Sequence, residues 1–233
     1  MDLIKKLPLD FLHLGHLGIQ KKFLNHLWIT HPERKINNPG QIKLAKGMKN
    51  LRTQIPCEFQ TTTKSLDEMS NWKGTEYSFF LNYCGVFVLE GILDEQLLNM
   101  YRLFSVSSRI LHSDKYCLKY LDQVQNYLER FVFLCGFYYG PETLVYNFHS
   151  LLHVTEDLKF FQVSLSRINC FPFESAFAQI KRGICHGNVP LNQYCNRFSE
   201  LQCIPVNKPT LPPLFEILSI NKKIDDNKTY RIK

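Results

Sequence analysis

The sequence has 233 residues, of which 45% are hydrophobic and 13% aromatic, enough to bury a sizeable core in one domain or in one domain with an appendage. Its formal net charge is +7, with the excess clustered, which suits a polyanionic partner but equally suits an ordinary solvated surface. Its apolar runs are far shorter than the roughly 20 residues of a membrane helix, and MDLIKKLPLD lacks the features of a secretory signal, so we expect an intracellular protein with no membrane partner.

The first predicted helix covers residues 12–28 and is preceded by Asp10, with His13 three residues further on. Aspartate in this position is typical of a helix N-cap, whose carboxylate accepts a hydrogen bond from the first turn. A carboxylate just before a helix is also a common metal ligand, so both interpretations of Asp10 stay open. Gly15 and Gly18 in HLGHLGIQ would let a backbone or DNA approach this helix closely.

Basic residues are concentrated in this first helix, in a second helix predicted to start near Gln41, and in a later helix. The candidates for contacts with nucleic acid are Lys21, Lys22, Lys43, Lys46, Lys49, Arg52, Lys181 and Arg182. Because lysine and arginine neutralise phosphates whatever the base sequence, they predict DNA as a partner. A solvated basic face explains the same composition.

A helix is predicted over residues 66–91, and three more between residues 94 and 161. In two of these three, apolar residues recur three and four positions apart, which is the spacing of a buried helical stripe. The stripes comprise Leu97, Tyr101, Phe104, Ser108 and Leu111, then Cys117, Leu121, Val124, Leu128, Phe131 and Cys135. Asp94 and Asp114 stand where N-caps are expected, and the Gly140–Pro141 pair should end one helix and begin the next.

The last of these helices contains His149 and His153, four residues apart. At this spacing two imidazoles can bind one metal ion. The HExxH sequence of zinc proteases is absent, because Ser150 occupies the position of its glutamate. A helical projection places the histidines away from the stripe predicted to be buried, and packing at a helix interface explains them as well. That stripe comprises Leu144, Phe148, Leu151, Thr155 and Leu158.

Pro172 and Glu174 mark the first turn of another predicted helix, the one that carries Lys181 and Arg182. Proline suits the first helical position. The helix dipole keeps a carboxylate in the first turn ionised, as a metal ligand must be. The same preference accounts for an ordinary surface glutamate, so the position of Glu174 permits catalysis without requiring it.

The eight cysteines are irregularly spaced, with no CxxC. This pattern predicts free thiols in a reducing compartment, and neither a disulfide framework nor a cysteine-built zinc site. Residues 204–233 contain four prolines and no helical stripe, which predicts an extended tail.

Four segments, taken in order, carry a resemblance to a known family. They are LPLDFLHLGHLGIQKKFL, IPCEFQTTTKSLDEMSNWKGTEYSFFLNYCGVFVLEGIL, YNFHSLLHVTEDLKFF and CFPFESAFAQIKRGICHGN. Together they look like the carboxyl-terminal half of CACTA-like transposases, over roughly residues 3–200. Such proteins have a DDE catalytic core of RNase H-like fold, interrupted by a helical insertion between the second and third acids.

The resemblance implies a role for each matching residue. Asp10 would be the second acid, with His13 completing a D-x-x-H phrase, and Glu174 would be the third acid. His149 and His153 would match a histidine pair of the insertion. The first acid should lie on an earlier strand, and no residue precedes Met1 in this sequence to supply it.

The implied fold is mainly α, with few or no strands. It is a helical bundle resembling the insertion domain together with the terminal part of an RNase H-like DDE core. Residues 1–30 would be a remnant of the catalytic core around the second acid, and residues 31–165 the helical insertion-like domain. Residues 166–203 would hold the helix with the third acid and the helix that follows, and residues 204–233 the extended tail.

The implied chemistry is metal-dependent DNA strand cleavage and transfer, in which carboxylates hold two divalent ions about 4 Å apart. Magnesium or manganese would be the cofactor, because hard ions prefer oxygen ligands. With one acid and most of the central sheet missing, we expect a nuclear, transposase-derived fragment that binds DNA without cleaving it.

Two further hypotheses stay open from the sequence. One is a helical protein-interaction module, in which a protein partner or a second copy covers an exposed apolar surface. The other is an unrelated helical metalloprotein that uses His149 and His153 as ligands.

Overall fold

The computed structural model describes residues 7–59 and 64–203, and within these ranges the protein is helical with no β-strand. The predicted mainly α fold is therefore confirmed, whereas the resemblance to an insertion domain and to an RNase H-like core stays a prediction. None of the described helices is both long and apolar enough to cross a membrane. The predicted tail over residues 204–233 lies outside the described residues.

The chain divides into two compact units, Met1–Asn169 and Cys170–Lys233, here called unit 1 and unit 2. Unit 1 contains both the predicted catalytic remnant, residues 1–30, and the predicted insertion-like domain, residues 31–165. The assignment of those segments stays a prediction.

The described part of unit 1 contains seven helices. Helix α1 consists of two wide, π-helical segments, Leu12–Gln20 and Phe23–Leu27, and α3 of three consecutive segments, Gly74–Phe79, Phe80–Cys84 and Gly85–Leu89. The others are α2 (Asn38–Arg52), α4 (Glu95–Leu111), α5 (Leu121–Tyr139), α6 (Tyr146–Leu151) and α7 (Val154–Phe161). Short 3₁₀ turns cover Leu66–Asn71, Leu118–Tyr120 and Pro141–Thr143.

The core of unit 1 is built around the α4–α5 pair, with α1 packed between α3 and α6. Both predicted apolar stripes of α4 and α5 are buried along their whole length. The rings of Phe104 and Phe131 stack at 4.8 Å between centroids. Phe23 of α1 lies 5.9 Å from Phe131 and 5.3 Å from Trp28. Each such buried aromatic stabilises the fold by roughly 1.5–3 kcal/mol, so α1 is held firmly against the α4–α5 pair.

The predicted helix around the histidine pair is broken in two, contrary to the sequence prediction. Gly140 ends α5 with a φ of +86° and Pro141 starts a 3₁₀ turn, so α6 begins only at Tyr146. Leu144 therefore precedes the helix and is 37% exposed, although the projection placed it on the buried side. The remaining members of that stripe are buried, and the second break falls at His153, the N-cap of α7.

Asp94 caps α4 as predicted, because its carboxylate accepts a hydrogen bond from the Leu97 N–H at 2.8 Å. The same prediction for Asp114 is wrong, since Tyr120 is the N-cap of α5. The Asp114 carboxylate instead accepts hydrogen bonds from the side chains of Arg167, at 3.0 Å, and Ser166, at 3.1 Å. The Arg167 hydrogen bond is the main cause that lowers the pKa of Asp114 to about 2. Asp114 thus ties the segment after α7 to the α4–α5 connection.

Unit 2 contains α8 (Phe171–Arg182) and α9 (Pro190–Cys203) among its described residues. Pro172 lies in the first turn of α8, as predicted. The loop between the helices is organised by Gln193, whose side chain accepts a hydrogen bond from the Cys185 N–H at 2.9 Å and donates one to the His186 carbonyl at 3.1 Å. None of the residues 170–200 is fully buried, so unit 2 has no core of its own over these positions.

Candidate functional site

Asp10 and His13 lie together at the start of α1. Both Asp10 carboxylate oxygens accept backbone hydrogen bonds of 3.2 Å, one from the Leu12 N–H and one from the His13 N–H. The His13 ring nitrogen Nδ1 also contacts the Asp10 carboxylate. Asp10 therefore accepts hydrogen bonds from the first turn of α1, as predicted, although the residue in the N-cap position is Phe11. The side chains of the D-x-x-H phrase form a pair.

A two-metal site needs several carboxylates around the same point. Within the described residues of unit 1 taken alone, no three His, Cys, Asp or Glu side chains bring their ligand atoms together. Binding of magnesium or manganese ions stays a prediction. Glu174 is exposed in the first turn of α8, in unit 2. Its pairing with Asp10 as second and third acids stays a prediction.

The rings of His149 and His153 contact each other, with centroids 5.1 Å apart and edge to face. Both side chains are exposed, as the helical projection predicted. His153 Nδ1 lies 3.2 Å from the Glu156 carboxylate. Among the described residues the pair belongs to no group of three or more side chains that could share a metal ion. The geometry is that of two surface rings in contact, and metal binding by them stays a prediction.

Three of the predicted basic residues form one face of α2. Lys43, Lys46 and Lys49 are all exposed, and Arg52 follows at the end of the helix. Since successive members are three residues apart, each lies about 4.5 Å further along the helix and about 60° round it. The three lysines, which we call the α2 basic face, cover a sector of about 120° on the helix, whereas Arg52 lies on the opposite side from Lys43. The α2 helix contains no acidic residue.

The other predicted basic residues differ in their surroundings. Lys22 is partly buried: its ammonium donates a hydrogen bond to the Thr143 carbonyl at 2.9 Å, and burial lowers its pKa. Lys21 is exposed beside it on α1. Lys181 and Arg182 are exposed in the last turn of α8, in unit 2. The Lys22 ammonium therefore makes a contact within the protein, and we do not count this α1 residue among the DNA contacts proposed below.

Gly15 and Gly18 provide close contacts inside the protein and not a surface for DNA. A Cβ atom on Gly18 would lie 2.3 Å from the Asn147 amide nitrogen of α6, and one on Gly15 would lie 2.5 Å from the Phe11 ring. Gly18 is thus the position at which α1 approaches α6. Of the two expected partners, a backbone or DNA, the contacts described at these glycines are with the protein itself.

The sequence analysis missed a pair of histidines in the interior, of which one is fully and one partly buried. His16 of α1 is fully buried, with its ring 5.5 Å from that of His112 and 5.2 Å from that of Phe11. Burial lowers the pKa of His16 well below 6.5, and the nearby His112 lowers it further. The missed signal is that His16 lies between the core positions Phe11 and Ile19, on the inner side of α1.

The cysteines agree with the predicted state of free thiols. All seven whose side chains are described are free. Cys84, Cys117 and Cys135 are buried among apolar side chains. Burial raises the pKa of the Cys84 thiol to about 12, so this cysteine acts as a small hydrophobic residue.

Comparison of the chain with protein-family models, with curated proteins and with solved structures finds no match. The resemblance to transposases therefore depends on the four quoted segments alone.

Proposed function

We propose that this chain is a transposase-derived protein that binds DNA through the α2 basic face and does not cleave it. The order of the four transposase-like segments supports the origin. The observation that carries the binding activity is the alignment of Lys43, Lys46 and Lys49 on one exposed side of a helix without acidic residues. The transposase resemblance implies Mg²⁺ or Mn²⁺ as the cofactor of the family's cleavage reaction.

The α2 basic face has a rigid support. Leu44 and Met48, on the opposite side of α2, are 4% and 1% exposed. Asn37 caps the helix by accepting a hydrogen bond from the Gly40 N–H at 2.8 Å. A face on an anchored helix presents its charges without first having to be ordered, which lowers the entropic cost of binding.

The charges of this face are available to a ligand. Among the described residues, no carboxylate lies within ion-pair distance of Lys46, Lys49 or Arg52. Lys43 donates a hydrogen bond to the Gly91 carbonyl, at 3.2 Å. Duplex DNA carries about one charge per 1.7 Å of its axis, so the roughly 9 Å between Lys43 and Lys49 spans several phosphates.

The same residues have a second, structural effect. Lys49 and Arg52 lie in the last turn of α2, where positive charge stabilises the negative end of the helix dipole by roughly 0.3–1 kcal/mol. Stability and DNA binding must therefore be measured separately in every variant of this face.

Salt dependence of binding gives the decisive test. Three phosphate contacts predict that log K for a fluorescent random-sequence duplex falls against log salt with a slope of about −2.7, or about 40-fold between 50 and 200 mM. Replacing Lys46 and Lys49 together by alanine should reduce this slope to about −0.9. The matched control replaces Lys115 and Lys119, which are also exposed but lie in the α4–α5 connection.

Two results would contradict the proposal. One is a chain with no affinity for the duplex at low salt, and the other is an equal loss of slope in the Lys115/Lys119 control. DNA cleavage is tested in the same samples with Mg²⁺ or Mn²⁺. Nicking that disappears in Glu174→Ala would show that the chain is a complete nuclease and would overturn the non-cleaving part of the proposal.

A further inference from the structure

The α4–α5 pair has an open groove on the side away from the core. Its volume is about 650 Å³. Among its lining residues are Gln96, Met100, Leu103, Val106, Arg130 and Leu134. We call this the α4–α5 groove. It is separate from the residues proposed above to bind DNA, and the transposase resemblance gives it no role.

The groove runs along two antiparallel helices. Gln96 accepts a hydrogen bond from the Tyr138 hydroxyl at 3.3 Å, and the sulfur atoms of Met100 and Cys135 lie 3.7 Å apart. Residue numbers therefore increase along α4 in the direction in which they decrease along α5, so the two helices are antiparallel. From Gln96 to Val106 the lined part of α4 extends over about 15 Å. This length matches about three turns of a third helix, laid between the ridges of the first two.

The floor of the groove is apolar, and the surface beside it is unusually apolar for exposed residues. Met100, Leu103 and Leu134 line the floor, and Val106 at one end is 43% exposed. Next to the groove on α5, two aromatic side chains stand in solvent: Phe133 is 61% exposed and Phe137 is 71% exposed. Contiguous exposed apolar surface of this kind marks interaction sites.

Positive charge in and near the groove lacks compensation. The Arg130 guanidinium lies 5.4 Å from the Phe133 ring, and Arg34 lies 5.6 Å from the ring of Tyr138 at one end of the groove. Neither has a carboxylate within ion-pair distance among the described residues. Arg102, by contrast, is held by Glu95 at 2.8 Å. An occupant that supplies a carboxylate next to Arg130 would therefore complement the charge of the groove.

We propose that the α4–α5 groove docks a short amphipathic helix of another protein, with apolar side chains on the floor and an acidic side chain at Arg130. The apolar floor favours a protein over a duplex, whose outer surface is phosphate. The length and the parallel ridges favour a helix, which anchors through positions i, i+4 and i+7. The protein would then use α2 for DNA and the α4–α5 pair for a protein partner.

The experiment selects binders from a displayed library of helical peptides of about 14 residues against the whole chain. Selected peptides should carry apolar residues at i, i+4 and i+7 with one Asp or Glu, and should bind with micromolar affinity by fluorescence anisotropy. Arg130→Glu should weaken binding about tenfold or more, and a peptide with Lys in place of its acid should recover affinity for that variant. Arg109→Glu, an exposed charge reversal on α4 outside the groove, is the matched control.

Val106→Asp adds a second test at the apolar end of the groove. It should reduce binding of every selected peptide, while far-UV circular dichroism stays unchanged because Val106 is already 43% exposed. If that variant unfolds, the Arg130→Glu charge exchange decides the question alone. The absence of any peptide binding below about 100 µM would overturn the proposal, and so would binding that ignores both substitutions.

Two further outcomes would assign the groove to a different occupant and overturn the proposal. Concentration-dependent dimerisation in sedimentation that Val106→Asp abolishes would identify a second copy of the chain. Displacement of a selected peptide by a DNA duplex would identify nucleic acid. A failure of the duplex-binding test at α2 leaves this experiment unaffected, because the two tests use different residues and different probes.

Discussion

Lowering the pH from about 7.5 to about 5.5 should destabilise unit 1 through His16. This side chain is fully buried on the inner side of α1, where its ring meets Phe11 at 5.2 Å and His112 at 5.5 Å. Burial is the main cause that lowers the pKa of His16 well below 6.5, and His112 adds to the effect. Burial also lowers the pKa of His112, so neither ring readily accepts a proton in the folded chain.

The sign follows from proton binding in the two states. The unfolded chain protonates His16 near pH 6.5, whereas the folded chain does so only at a much lower pH. Protons therefore favour unfolding, and the stability that is complete above pH 6.5 is lost as the pH falls below that value. One pH unit below the unfolded pKa, the loss from one such histidine is about 1.4 kcal/mol. His112, which is only partly buried, adds a smaller amount in the same direction.

Urea unfolding followed by tryptophan fluorescence measures this loss directly. Trp28 and Trp72 are 1% and 5% exposed, so both report on the core of unit 1. With a denaturant slope of about 2 kcal/mol per molar, a loss of 1.4 kcal/mol lowers the urea midpoint by about 0.7 M. The variant His16→Gln/His112→Gln keeps the other histidines and should remove most of the pH dependence between pH 5.5 and 7. A flat wild-type curve, or an unchanged slope in the double variant, would refute the reasoning.

Two other substitutions probe how the helices pack. Gly18→Ala should destabilise unit 1 by about 1–3 kcal/mol in the same urea assay, because the new Cβ would lie 2.8 Å from the backbone carbonyl oxygen of His13 and would also displace the Asn147 amide; a stabilised variant would contradict this close packing at Gly18. Glu76→Ala should cost about 1.5–3 kcal/mol, because the 8% exposed carboxylate lies 2.7 Å from the Lys64 ammonium and accepts a hydrogen bond from the Lys73 N–H at 2.8 Å. A loss in Glu76→Ala equal to that of an exposed Glu129→Ala control would refute this role.

Part of the candidate site was readable from the sequence because it depends on local order. The exposed run of Lys43, Lys46 and Lys49 follows from their spacing on a helix. The hydrogen bonds that Asp10 accepts from the first turn of α1 follow from its place just before that helix. The mutual contact of His149 and His153 also agrees with their spacing. The α4–α5 groove could not be predicted from the sequence, because it forms only where two helices lie side by side. Its charge depends on which arginine side chains form an ion pair with a carboxylate.

The errors have the same physical origin. Asp114 stands where a cap is expected, but the carboxylate is bound by Arg167, which is distant in sequence. The small size of Gly15 and Gly18 admits either DNA or a neighbouring side chain, so the sequence does not show which of the two approaches them. Leu144 fits the helical period but precedes the helix, because Gly140 and Pro141 delay its start.

By itself, the sequence determined that this protein is helical, that α4 and α5 turn their apolar stripes inward, and that a basic face lies on α2. These properties follow from periodicity and capping, which act over a few residues of backbone. Only the tertiary structure decided that His16 is buried, that Lys22 donates a hydrogen bond to the Thr143 carbonyl, and that a groove lies along α4 and α5. Burial and ion pairing depend on contacts between residues far apart in the chain, and those contacts exist only once the helices have packed.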